Sequence, residues 1–257
     1  MGRRCEKLDD RRQVAPLGLL GGSLLSLSKR RNVVGNRVRD FRLLQLLRFA
    51  IRDLERFAQH QRTRHSHTDE GGTKIYGASG KVKRPGAWEL PMGSTMREIL
   101  EEHAGGMRDG LKFRGVIPGG ASTDFLVEEH LDVKMDFDSV QKAGSRLGTG
   151  TMIILDDQTC PVGLVHNLEQ FFARESCGWC TPCREGLPWT TEILQAIERG
   201  HGEPGDLEKL EHHARFLGPG STFCALAPGA MEPMQSALKY FREDFERHIR
   251  EKRCPYR

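Results

Sequence analysis

Glu175 to Trp189 reads ESCGWCTPCREGLPW, with Cys177, Cys180 and Cys183 at intervals of three. Packing alone does not call for thiols at that density. Ionised, they repel one another unless a cation lies among them. A C-x2-C-x2-C run in a tight loop lets the chain wrap one side of a compact inorganic core. A fourth ligand then has to come from elsewhere. Cys224, in GPGSTFCALAPG, is the best candidate, because a Gly/Pro-rich loop lets backbone approach a cluster closely. Structural zinc commonly uses two separated ligand pairs. One trio and one single suit a [4Fe–4S] cubane better. Zinc, or no metal at all, stays open as an alternative on the residues alone. The chain has seven cysteines, an odd number that argues against a secreted disulfide framework and for a reducing compartment. Of the others, Cys160 reads as a small apolar residue near a helix start, and Cys5 and Cys254 as bystanders near flexible ends.

Around the thiols the pattern is helical. VGLVHNLEQFFARES places Leu164, Leu168, Phe171 and Phe172 on one stripe. A second helix is expected from Glu185 to about Arg199, and a third from Asp206 to Leu217, stopped by Gly218-Pro219-Gly220. A fourth is expected from Met231 to Glu251, with Met234, Leu238, Phe241, Phe245 and Ile249 as bundle core. Upstream, TKIYGASGKVKRPGAWEL reads as a β-hairpin. In STMREILEEHAGG, Ser94 or Thr95 is the N-cap, Glu98 completes a capping box, and Gly105-Gly106 ends the helix. LKFRGVIPGG and Met152 to Leu155 are further strands. Together these give an α+β chain: a small sheet crossed by a helix, then a helical bundle. The expected divisions are a basic tail over 1–71, a sheet domain over 72–158, a helical domain over 159–251 and a short tail over 252–257.

The net charge of +4 is uneven. Residues 1–70 hold 16 Lys and Arg against 8 Asp and Glu, whereas residues 71–257 hold 23 against 27. The mildly acidic body does not suggest a nucleic-acid binder. Within the basic segment, Arg39 to Gln59 has helical apolar spacing, His65 to His67 offers an adventitious metal site, and the rest reads as poorly ordered. Val14 to Ser28 is the most apolar run; it is too short and too rich in Gly and Ser to span a membrane. Basic residues precede it, as in a secretion signal, but Asp9 and Asp10 lie among them and no A-x-A-like cleavage site follows. Other features read more simply as structure. GASGK (Gly77 to Lys81) lies in the hairpin rather than in a phosphate loop. IPGGAS (Ile117 to Ser122) is a turn, and His212-His213 a solvated helix face. Arg184 either tunes cluster charge or pairs with Glu175 or Glu185. Trp179 and Phe223 either shield the cluster or pack.

ESCGWCTPCREGLPW, with FLGPGSTFCALAPGAMEPMQSALKYFREDFERHI, closely resembles the NADH-binding flavoprotein subunit of respiratory complex I. GTKIYGASGKVKRPGAWELPMGSTMREILEEHAGGMRDGLKFRGVIPGGASTDFL resembles that subunit's β-grasp domain of the soluble-ligand-binding type, and KAGSRLGTG (Lys142 to Gly150) continues the match. The resemblance covers roughly Gly72 to Ile249. It implies a [4Fe–4S] cluster on Cys177, Cys180, Cys183 and Cys224 that relays electrons from reduced flavin. It implies as partners the other peripheral-arm subunits, especially the 2Fe–2S subunit and the large iron–sulfur subunit, with membrane contact only through the complex. The implied location is the cytoplasmic face of the bacterial inner membrane. The full-length family also binds FMN and NAD in a domain with a G-R-G-G-A-G-F-type loop. Residues 1–72 contain only GLLGGS (Gly18 to Ser23), which lacks that pattern, so no flavin or nicotinamide contact carries over. The expectation is a truncated, frame-shifted or split gene whose product alone does not oxidise NADH. NAD-linked hydrogenases and formate dehydrogenases use similar subunits, and a non-enzymatic zinc-stabilised interaction module is the rival outside redox chemistry.

Overall fold

Thr73–Gly80 (β1) and Gly86–Pro91 (β2) form the expected hairpin, antiparallel with Thr73 opposite Pro91. The polar KVKRP connection turns the chain, and period-two alternation turns Tyr76 inward while Ile75 stays exposed. These elements come from a computed structural model, which describes residues 67–68 and 70–257. The readings on the basic segment, namely the Arg39–Gln59 helix, Val14 to Ser28, GLLGGS, Cys5, His65 and most of the tail, lie outside the described residues.

Phe113–Ile117 (β3) and Thr151–Asp156 (β4) complete a mixed sheet in the order β2-β1-β4-β3. β1 and β4 run parallel in the centre, Gly77 beside Thr151, and β3 returns antiparallel with an irregularity between Phe113 and Gly115. A parallel pair requires a crossover. This one contains Met96–Glu98 (α1) and Phe137–Lys142 (α2). Thr95 caps α1: its hydroxyl accepts the Glu98 N–H at 3.1 Å, and the Glu98 carboxylate accepts the Thr95 N–H at 3.4 Å. The capping box thus lies where the spacing predicts it. Beyond Glu98 the helix widens into a π-turn, Ile99–His103, before Gly105 and Gly106 adopt positive φ. The sheet's core gathers Tyr76, Met96, Ile99, Val116, Leu126, Met135 and Met152. The Tyr76 hydroxyl donates to the Met135 carbonyl. IPGGAS is a turn pressed against the next one: a Cβ on Gly119 would lie 2.6 Å from the Arg146 carbonyl oxygen.

The remaining helices are Pro161–Glu175 (α3), Thr181–Glu198 (α4), Asp206–Leu217 (α5), Leu226–Tyr240 (α6) and Arg242–Glu251 (α7). Two expectations are corrected. The second helix starts at Thr181 and not at Glu185, because Pro182 fits the first turn, where no N–H is needed. Met231 to Glu251 is not one helix: Phe241, at φ −122° and ψ 22°, separates α6 from α7. The expected stripe nevertheless packs, with Met234, Leu238, Phe241 and Phe245 buried. On α3, Leu168 and Phe172 are buried but Phe171 is exposed. His213 is also corrected: it is buried and set edge-on to Trp189 at 4.1 Å between ring centres. Burial, then the neighbouring His212, lowers its pKa. His212 itself is exposed.

The described residues form one compact unit. Ile117, Phe125 and Leu155 join the helical core, whereas Leu126, next to Phe125, belongs to the sheet core. Phe125 meets Phe241 edge-on at 5.3 Å. Among the described residues no helix is long and apolar enough to cross a membrane.

Candidate metal centre

The three clustered thiols sit on the descent from α3 into α4. Ser176 leaves helical geometry, Gly178 takes φ +75°, and the chain reverses so that Cys180 becomes the N-cap of α4. Gly178 suits this turn because a side chain is strained at that φ. Cys177 is exposed, Cys180 half-buried, and Cys183 buried in the first turn of α4. Cys183 is thus helical, where the sequence suggested a loop. The Ser176 hydroxyl lies 3.2 Å from the Cys183 sulfur, a contact no sequence pattern signals. Arg184 donates to the Gly178 carbonyl at 2.9 Å and pairs with Glu185 at 2.8 Å, so the local ion pair holds.

Cys224 is exposed in the loop immediately before α6. The two segments meet across 43 residues of sequence: the Phe223 N–H donates to the Cys180 sulfur at 3.4 Å. Cys180 and Cys183 open α4, and Cys224 precedes α6. The free N–H groups and positive dipole ends of two helices therefore lie at the thiols, which favours thiolates and an anionic cluster. Among the described residues, no three of these four sulfurs lie within 4.8 Å of one another. A single tetrahedral zinc holds its sulfurs about 3.8 Å apart, from a Zn–S bond of about 2.3 Å. The donor set, all thiol with backbone N–H aimed at sulfur, fits an iron–sulfur cluster. Trp179 and Phe223 are 77% and 88% exposed, so neither is packed into a core among the described residues.

Residues 163–248 match the NADH-ubiquinone oxidoreductase-F iron–sulfur binding region, a 4Fe–4S region, and residues 77–125 match the SLBB domain. Over 186 residues the chain is 64% identical to the NADH-quinone oxidoreductase F subunit of Escherichia coli, covering 72% of this chain and 42% of that one. The C-terminal part of this chain resembles that F subunit. The F 2 subunit of Rhizobium meliloti is 52% identical over 185 residues, 72% of this chain and 44% of its own length. The chain thus spans less than half the length of these relatives. Among solved structures, an NAD+-reducing [NiFe]-hydrogenase in the H2-reduced state aligns with a TM-score of 0.64 at 26% identity, covering 76% of this chain and 32% of that one. The oxidoreductase relatives are nearer in sequence, and the hydrogenase shares the architecture.

One cysteine outside the thiol quartet contradicts its sequence reading: Cys254 is buried instead of lying in a loose tail. Cys160 lies at a helix start as expected and packs partly buried against the helical core; it also caps α3, its sulfur accepting the Gly163 N–H at 3.3 Å. Both lie beside His248.

Proposed function

We propose that Cys177, Cys180, Cys183 and Cys224 hold a [4Fe–4S] cluster and that the chain relays electrons within the peripheral arm of an NADH:quinone oxidoreductase. The observation that carries this reading is the Phe223 N–H bonded to the Cys180 sulfur, which seats the distant Cys224 loop on the trio. Bound there, the cluster supplies one-electron transfer without bond making, so no side chain needs to move a proton. The chain's own contribution is to fix four thiolates, to offer helix N-termini to their charge, and to bring the Ser176 hydroxyl to one sulfur. Flavin and nicotinamide chemistry, in this reading, belongs to the family's remaining length. The partners are the 2Fe–2S subunit and the large iron–sulfur subunit, met on the cytoplasmic side of the inner membrane. The 64% identity favours this complex over the hydrogenase alternative, whose support is the structural likeness at 26% identity.

Anaerobic reconstitution tests the reading. The chain is expected to turn brown and to carry about four iron and four sulfide per polypeptide. Cys224→Ser should lose most of both while keeping its helical circular dichroism. A Cys224→Ser chain that retains the full cluster, or a colourless wild-type chain with stoichiometric zinc on these cysteines, would refute it.

A further inference from the structure

Away from the four thiols, three separate elements bring Cys160, His248 and Cys254 together. Cys160 is the N-cap of α3, His248 lies in the last turn of α7, and Cys254 follows in the C-terminal turn. Their sulfur, nitrogen and sulfur donor atoms all lie within 4.8 Å of one another. The Cys160 sulfur is 3.2 Å from His248 Nε2. His248 Nδ1 faces the Asp244 carbonyl oxygen at 2.6 Å. A carbonyl only accepts, so Nδ1 carries the proton, and Nε2 presents its lone pair to the sulfur. That arrangement, a backbone acceptor fixing the far nitrogen, is how a metal-ligating imidazole is oriented.

The site is held in place by packing. Lys252 takes φ +51°, and its carbonyl sits so close to Gly200 that a Cβ there would lie 2.1 Å away. The turn is thereby folded back on the end of α4, which sets Cys254 inside. His248 is fully buried and Cys254 is 7% exposed. Two thiolates, one neutral imidazole and a divalent cation sum to zero charge, which suits a low-dielectric place. The Gly163 N–H, 3.3 Å from the Cys160 sulfur, and the start of α3 also favour the thiolate. Tetrahedral zinc on sulfur and nitrogen sets donor separations of about 3.5–3.8 Å, which this trio reaches with small adjustments. Thiolate and imidazole select zinc over magnesium or calcium.

We propose that Cys160, His248 and Cys254 form a mononuclear zinc site that fastens the C-terminal turn to the start of α3. A cavity of about 330 Å³, lined by Cys160, Glu198, Tyr256 and Arg257 among others, opens beside it and leaves room for water as the fourth ligand. The site is redox-inert and independent of the cluster reading. To test it, the full chain is purified anaerobically with zinc and a phosphine reductant, and zinc, iron and sulfide are measured on the same samples. His248→Gln and Cys254→Ser should each bind one zinc fewer per chain than wild type, with iron and sulfide unchanged. In the unsubstituted chain, zinc should protect Cys160 and Cys254 from alkylation, read by peptide mass spectrometry, and a chelator should restore labelling. Equal zinc in wild type and both variants, equal labelling with and without zinc, or a Cys160–Cys254 disulfide in place of bound metal would overturn the proposal.

Discussion

Asp124 sits partly buried beside Glu232, and desolvation, reinforced by that negative neighbour, raises its pKa from 3.8 to about 7 despite Arg146. The folded value exceeds the unfolded one, so on raising the pH the unfolded chain releases its proton first. The stabilising contribution is complete below about pH 4 and is lost as the pH climbs to about 7. Three units would correspond to about 4 kcal/mol; partial exposure reduces this to about 1–2 kcal/mol. Asp124→Asn should remove that slope and exceed wild type in stability at pH 8 by about the same amount. Urea unfolding of both chains at pH 5 and pH 8 checks it, and parallel slopes would contradict the assignment. Nothing in the sequence around Asp124 signals this, because Glu232 and Arg146 reach it only through the fold. Cys254 is illegible for the same reason: its burial depends on a left-handed Lys252 and on Gly200, distant in sequence.

At the scale of elements, local chemistry is readable and continuity is not. The capping box at Thr95 and Glu98 is a contact within four residues, so spacing alone locates it. The hairpin and both further strands follow from alternation and glycine punctuation in the same way. The start of α4 is hidden because three cysteines look like a loop, although two of them occupy the N-cap and first turn of a helix. The break at Phe241 is hidden because the apolar stripe continues across it. The π-turn after α1 has no pattern of its own. Since α1 is short and its cap is shared with the sheet's crossover, Thr95→Ala should destabilise the chain by about 1 kcal/mol. The capping assignment predicts that Thr95→Ser retains most of that stability, with thermal unfolding as the measurement. An equal loss in both variants would show that the methyl group's packing, not the hydroxyl bond, is what matters.

For the whole molecule, the question is whether sheet and helices unfold as one. Consecutive residues Phe125 and Leu126 belong to different cores, and Phe125 is fully buried against Phe241. Arg114, from β3, lies over the Phe241 ring at 5.4 Å and pairs with Asp244 on α7. Its partner is largely buried, so the pair resists being broken singly. Contacts of this kind couple the two cores, and a single cooperative transition follows. Two tryptophans report on them separately: Trp88 packs on the sheet core, and Trp189 meets His213 edge-on in the helices. A chain retaining only Trp88 and one retaining only Trp189 should show coincident urea transitions. Phe125→Ala should lower both by about 3–5 kcal/mol, the usual range for emptying a buried aromatic site. If that substitution shifts the Trp189 transition and leaves the Trp88 transition in place, the sheet stands without the helices and the coupling through Phe125 is not real.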